Sequence, residues 1–260
     1  MLESLEKIVT LVGKRLLDWQ LAGKKEGKWQ GSQFKARADA MAHRELKKRL
    51  EKLLPGTPVI SEEDPASLVS RRPERYWLID PLDGTASFAG GFSGYVTQAA
   101  FMKNNRPELA AIFAPALGLL YTAERGKGAY LNGKKLGLSK SAPVTALIDN
   151  YPAPRGIAEK IFRAFKFKRY IESGSIALKI CRVADGSAGL FVKDVPVRDW
   201  DLAAPYLVLK EARGTMTDIE GGKIGFNGDY AHKGLVAAPS PALGRKVVSW
   251  YLKSEKAGER

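Results

Sequence analysis

The 260-residue chain is poor in the residues that build covalent and zinc-based sites: it has one cysteine, Cys181, and two histidines, His43 and His232. A single cysteine excludes an intramolecular disulfide and a multi-cysteine metal cluster. It also fits a reducing compartment. His43 falls in a basic stretch and His232 in a glycine-rich one, and both read as structural. Cys181, within "IALKICRVA", reads as a small core residue. No segment approaches the run of about twenty apolar residues needed to span a bilayer. The N-terminus also lacks the continuous apolar core of a signal peptide. A cytoplasmic protein with no membrane partner is therefore expected. Internal repeats and low-complexity tracts are missing too, which excludes solenoid and disordered readings.

What is present is an ordinary globular composition, 45% hydrophobic and 27% charged, with a net charge of +14. The length suits one large domain or two moderate ones. The excess of bases raises a nucleic-acid hypothesis, but the bases are scattered. In "MAHRELKKRLEKLL" they share a helix with Met41, Leu46, Leu50 and Leu53, which face the other way. A solvated helix face explains them, and no zinc-finger or RNA-binding signature accompanies them. Nucleic acid is therefore not the expected partner, and a bias toward small anions is what the charge supports.

Apolar spacing predicts helices over 2–20 and 38–53, then a short strand at "PVI". After "ERYWLIDPLDGT" come "YVTQAAFM", "ELAAIFAPALGLLYTAE" and "GAYLNGKKLGLS", separated by turn residues as in an antiparallel meander. From "SKSAPVTALI" onward, strands and helices alternate: "GIAEKIFRAF", "KRYIESG", "SIALKICRVADG", "AGLFV" and "DLAAPYLVLKEARG". This predicts an α/β chain with a soft division into residues 1–137 and 138–260, without a flexible linker between them.

Three acidic clusters stand where strands or loops end: "SEED" at 61–64, "DPLD" at 80–83 and "VRDWD" at 197–201. In "DPLD" the proline has no N–H and keeps a helix from starting early, so both side chains can converge and the Leu82 carbonyl stays free. Carboxylates with a free carbonyl are hard oxygen ligands, suited to Mg²⁺ rather than to zinc or copper. Asp83-Gly84-Thr85 then opens a helix, whose first N–H groups attract anions. Divalent metal beside such a terminus is an arrangement for holding phosphate.

"WLIDPLDGTASF" and "WDLAAPYLVLKEARG" resemble, in this order, the two signatures of the inositol monophosphatase superfamily, Mg²⁺-dependent and lithium-sensitive phosphatases. "SEED" stands where that family carries its metal-binding glutamate. The resemblance covers nearly the whole chain. It implies the α-β-α-β-α five-layer sandwich of the inositol monophosphatase and fructose-1,6-bisphosphatase type, two or three Mg²⁺ per site, and a homodimer. It assigns Glu62, Asp80 and the Leu82 carbonyl to one metal, and Asp80, Asp83 and Asp201 to a second. Gly84 and Thr85 would bind phosphate together with Asp83. Thr85 with Glu62 would orient the attacking water, and Asp39 would stand behind the metal ligands. Two metals about 4 Å apart serve phosphate ester hydrolysis by neutralising both entering and leaving oxygens.

For the substrate, "SEED", "RYWLIDPLDGT" and "SGSIALKICRVADG" are similar to the branch that removes the 3′-phosphate of 3′-phosphoadenosine 5′-phosphate. Ser175 and Lys179 of the last segment are then substrate residues, Lys179 facing the second phosphate; the alternative places Lys179 on the outer face of its helix. Asp194 occupies the place of the family's inositol-binding glutamate. Inositol 1-phosphate and a sugar bisphosphate are the other candidate substrates. The non-enzymatic alternative is a basic, phosphatase-like protein that binds RNA or a partner.

Overall fold

The computed structural model describes residues 1–24, 27–30, 33–138 and 146–258. Leu5, Val9, Val12 and Leu16 recur at helical spacing, and helix α1 (Leu2–Leu21) buries all four. An antiparallel hairpin of β1 (Gly27–Gln30) and β2 (Gln33–Ala36) follows, an element the sequence reading did not anticipate. Helix α2 (Arg37–Leu53) buries Ala38, Ala42, Leu46 and Leu50, and its bases lie on the opposite, solvated side.

Both helices cover one face of a seven-stranded sheet. Its strands run β3 (Val59–Ser61), β4 (Arg75–Asp83), β5 (Val96–Lys103), β6 (Arg106–Ala114), β7 (Leu119–Glu124), β8 (Gly128–Leu131) and β9 (Lys134–Lys135), in that order. β3 and β4 are parallel, and every later pair is antiparallel, the expected meander. Trp77 and Ile79 of β4 face the two helices, while Tyr76 and Leu78 face the opposite way into a second core. With both faces covered, the strand reads as an unbroken apolar run rather than an alternating one. A six-residue helix, α3 (Thr85–Gly90), joins β4 to β5.

The second half contains β10 (Ala146–Asp149), α4 (Gly156–Ala164), β11 (Arg169–Glu172), α5 (Ile176–Ala184), β12 (Phe191–Lys193), β13 (Val197–Arg198) and α6 (Asp199–Glu211). It ends with β14 (Thr215–Thr217), β15 (Ala231–His232), β16 (Leu235–Ala238) and α7 (Pro241–Gly258). Helix α7 lies beyond the alternation of strands and helices expected from the sequence, which ends at α6. Helices α5 and α6 pack under the free face of the large sheet, and their other side meets the strands β12, β16 and β14. α4 and α7 close that smaller sheet over Leu147, Ile161, Leu190, Val236 and Val247. The result is five layers, α-β-α-β-α, as the resemblance implied. No helix among the described residues is long and apolar enough to cross a membrane.

The layering brings four chain segments to one end of the central helical layer: the C-terminal ends of β3 and β4, and the N-termini of α5 and α6. Those four segments carry "SEED", "DPLD", Ser175 and "DWD".

Candidate active site

Pro81 sits inside β4 at the point where its register with β5 shifts, between Asp80 and Asp83. A proline cannot donate to the ladder, so such an irregularity is where a buried strand accepts one. The bulge lets both aspartates reach the same end of the sheet. Asp201 arrives from the first turn of α6, where its carboxylate accepts the Arg198 N–H at 2.8 Å. Carboxylate oxygens of Asp80, Asp83 and Asp201 all lie within 4.8 Å of one another.

Asp83 is the best supported of the three. It accepts the Ser175 hydroxyl at 2.5 Å and the N–H groups of Ile176 (3.2 Å) and Ala177 (2.8 Å), so the N-terminus of α5 is aimed at it. The close approach depends on Gly84, whose φ of +90° is left-handed and whose added Cβ would lie 2.8 Å from the Gly94 carbonyl. Ser175, expected among the substrate residues, is buried, and its hydroxyl is committed to Asp83 and to the Leu178 N–H. Its place at the start of α5 explains the difference: a helix-capping serine turns its side chain back toward the first turn.

Burial pushes the Asp80 carboxyl well above the usual carboxylate range, and the charges of Glu62, Asp83 and Asp201 add to the shift. Asp201 moves the same way, by burial and then the charge of Asp83. Asp83 is also raised by burial, although its donors at α5 pull in the opposite direction. Like charges gathered in a dry site repel one another and resist ionisation, and a cation joining them relieves both effects. Three hard oxygen donors at this spacing fit a divalent ion of the Mg²⁺ kind.

The acids line a cleft of about 660 Å³ that also includes Asp39, Glu62, Leu82, Gly84 and Thr85. A separate cavity of about 580 Å³ along α7 contains none of them. The Thr85 hydroxyl lies 3.0 Å from Asp39 Oδ1 and 3.0 Å from the Leu82 carbonyl. Asp39, expected only to stand behind the ligands, is thus in direct contact with Thr85, the contact expected of Glu62. Asp39 is 4% exposed, on the first turn of α2.

Lys179 is fully buried, which removes the outer-face alternative. Its Nζ donates to Asn150 Oδ1 at 2.8 Å and to the Gly174 carbonyl at 3.3 Å, and sits 3.8 Å from Asp149. Burial lowers its pKa to about 8. Lys193 reaches the same Asn150 oxygen at 3.4 Å. Both lysines and Asn150 line the cleft. Asp194 does not belong to that lining: it is exposed, and its charge is felt by Tyr251 on α7. Successive side chains leave a strand end on opposite sides, so when Lys193 faces the cleft its neighbour faces away. Asn150, Lys193, Arg198, Trp200 and Tyr230 are cleft residues that the sequence reading missed. Only the alternation across β12 offered a signal for Lys193.

A family model described as "Inositol monophosphatase family" matches residues 3–254. The chain is 30% identical over 218 residues to the fructose-1,6-bisphosphatase/inositol-1-monophosphatase of Thermotoga maritima, covering 83% of each protein. It is 32% identical over 193 residues to the 3′(2′),5′-bisphosphate nucleotidase CysQ of Escherichia coli strain K12, covering 71% of this chain and 76% of that one. Its backbone superposes on the solved Thermotoga maritima IMPase with a TM-score of 0.79 at 25% identity, over 95% of this chain and 96% of the other.

Proposed function

This chain belongs to the inositol monophosphatase family and is a phosphatase, and on that premise we propose that its substrate is 3′-phosphoadenosine 5′-phosphate, hydrolysed to AMP and phosphate. The observation that carries the substrate reading is the convergence of Lys179 and Lys193 on Asn150 Oδ1, at 2.8 and 3.4 Å, in the wall of the carboxylate cleft. A substrate with one phosphate to lose and another to be held suits a cleft lined by carboxylates and by two lysines. The nucleotidase at 32% identity supports the same reading.

The proposed metal ligands are Glu62, Asp80, the Leu82 carbonyl, Asp83 and Asp201, and the ion is Mg²⁺. When bound it would supply the positive charge that the phosphate and leaving oxygens need and would lower the pKa of the attacking water. The chain's own groups do the rest. The N–H groups of Gly84 and Thr85, at the start of α3, have no partner within that helix and would bind a phosphate oxygen. Thr85 and Asp39 form the water-orienting pair: the hydroxyl accepts from the water while donating to Asp39, which receives the proton released as the P–O bond to water forms. The P–O bond to the 3′-oxygen of the sugar breaks and that oxygen takes up a proton from solvent water, leaving AMP with a free 3′-hydroxyl and inorganic phosphate, while Asp39 returns its proton to solvent.

Inositol 1-phosphate is the second reading, favoured by the relative at 30% identity that carries both activities in its name. The exposed, outward position of Asp194 is against it. Phosphate release from 3′-phosphoadenosine 5′-phosphate, inositol 1-phosphate, fructose 1,6-bisphosphate and β-glycerophosphate, with Mg²⁺ and in excess EDTA, separates the readings. A kcat/KM highest for the nucleotide and lost in EDTA is expected; preference for inositol 1-phosphate would transfer the function to the second reading.

A further inference from the structure

Beside the carboxylate cleft lies a buried charged cluster that takes no part in the chemistry described above. The Arg72 guanidinium lies 2.5 Å from Asp199 Oδ2, with the two side chains 2% and 1% exposed. His232 Nε2 meets the other oxygen of Asp199 at 2.6 Å. The same guanidinium donates to the carbonyls of Phe226 (2.5 Å) and Gly228 (3.1 Å) and lies 3.9 Å over the ring of Tyr230. Tyr230 donates to the Val69 carbonyl at 2.9 Å, and its own carbonyl accepts the Asp199 N–H at 3.1 Å. Three distant segments therefore meet on one carboxylate: residues 69–72, residues 226–232 and the first turn of α6.

Each segment has a consequence for the metal site. Residues 69–72 lie in the connection between Glu62 and β4, which carries Asp80 and Asp83. Asp199 is two residues before Asp201 on the first turn of α6. Residues 231–232 pair with Val197 and Arg198 of β13, and the Arg198 N–H holds the Asp201 carboxylate. The acids of the cleft repel one another before any cation binds, so an outside brace must hold the helix-borne acid against the strand-borne ones. A buried ion pair contributes little net stability over apolar packing of the same volume, so stability alone is a weak reason for a fully desolvated pair here.

We propose that Arg72 and Asp199, with His232, form a positioning clamp that sets Asp201 against Asp80, Asp83 and Glu62 and so preorganises the divalent-cation site. This rests on the metal reading given above. The clamp differs from a simple electrostatic influence in the sign of one mutation. Arg72 is a cation near a cation site, so if charge were all that mattered, Arg72→Met would leave cation binding equal or tighter. A clamp predicts the opposite.

The test is Mn²⁺ binding to the folded, substrate-free full-length chain, read by isothermal titration and by the loss of the free-ion electron paramagnetic resonance signal. Circular dichroism melts run alongside on wild type, Arg72→Met, Arg72→Lys and Asp199→Asn. About a tenfold weaker Kd is expected in Arg72→Met and in Asp199→Asn, measured below their melting temperatures. The loss should be smaller in Arg72→Lys, which keeps the charge and loses the fork. In the double variant Arg72→Met/Asp199→Asn the loss should be less than the product of the two single losses, because both act through one contact. Unchanged or tighter Mn²⁺ binding in folded Arg72→Met or Arg72→Lys would overturn the clamp, as would a lowered melting temperature with unaltered Kd. A wild type that binds no Mn²⁺ would overturn the metal reading itself, a result distinct from intact binding in the Arg72 variants.

Discussion

At the scale of single residues, the division of labour in the cleft predicts which kinetic constant each mutation moves. Thr85 touches Asp39 and the Leu82 carbonyl through one hydroxyl, while the backbone N–H groups beside it survive any side-chain change. Thr85→Ala should therefore lower kcat by about 10²–10⁴-fold with KM nearly unchanged, in steady-state assays with saturating Mg²⁺. Lys179 predicts the reverse split. Its loss removes an interaction made in both ground and transition states, so Lys179→Met should raise KM for 3′-phosphoadenosine 5′-phosphate more than it lowers kcat. The same variant should leave β-glycerophosphate turnover close to wild type. Because burial lowers the Lys179 pKa to about 8, the wild-type KM for the bisphosphate should climb as pH rises through that value. The ammonium form attracts phosphate and the neutral amine does not, and Lys179→Met should lack this rise. A flat KM between pH 7 and 9 in the wild type would remove Lys179 from the second-phosphate role.

At the scale of elements, the site depends on how closely the backbone of the loop after α3 approaches the start of α5. The N–H of Ser175 donates to the Gly94 carbonyl at 2.8 Å, which fixes the start of α5 against the loop after α3. A Cβ added at Gly94 would lie 2.7 Å from the Gly174 N, and backbone cannot swing aside as a side chain can. Gly94→Ala should cost about 1–3 kcal/mol of stability, the range of overpacking substitutions. It should also lower activity, because Ser175, Ile176 and Ala177 hold Asp83 from that same helix start. Gly137→Ala, with open space around its Cβ, is the control and should stay within about 0.5 kcal/mol of wild type by thermal melting. Equal melting temperatures for the two variants would show that the junction tolerates the extra carbon.

At the scale of the whole molecule, the acids of the cleft oppose the fold until a cation joins them. Asp80, Asp83 and Asp201 all have folded-state pKa values raised above their ordinary range, first by burial. A group of this kind contributes stability below the ordinary carboxylate pKa, and that stability is lost as pH rises through the folded value. In EDTA the wild type should therefore lose stability relative to Asp80→Asn as pH rises from about 4 to 8, since asparagine does not titrate. Comparing the two proteins removes the background of the +14 net charge, which both share apart from the one group. Mg²⁺ should narrow the gap at neutral pH by binding only the wild-type carboxylate set tightly. Melting temperatures that run parallel across this range would refute the repulsion.

Much of the fold and most of the candidate ligands are legible in the sequence. Helix α1 shows its buried face in the spacing of Leu5, Val9, Val12 and Leu16, because it lies on an outer layer with one face in solvent. The strand that ends at Asp83 is legible for a related reason: an apolar run that stops on acids marks the edge of a core. Helix α5 shows the limit. It lies in the middle layer between two sheets and buries Ala177, Leu178, Lys179, Ile180, Cys181, Val183 and Ala184, so no periodicity reveals where Lys179 points. The turn of Lys193 toward the cleft and Asp194 away from it depends on where β12 ends. Thr85 meeting Asp39 across 46 positions, and Asp199 joining Arg72 to His232, are contacts between segments with no shared local pattern. By itself the sequence determined which chemical groups are available and which short segments carry them, because local spacing and residue type are sufficient for that. Which of those groups face one another was decided only by the tertiary structure, since burial between layers and pairing between distant strands leave no periodic trace in the chain.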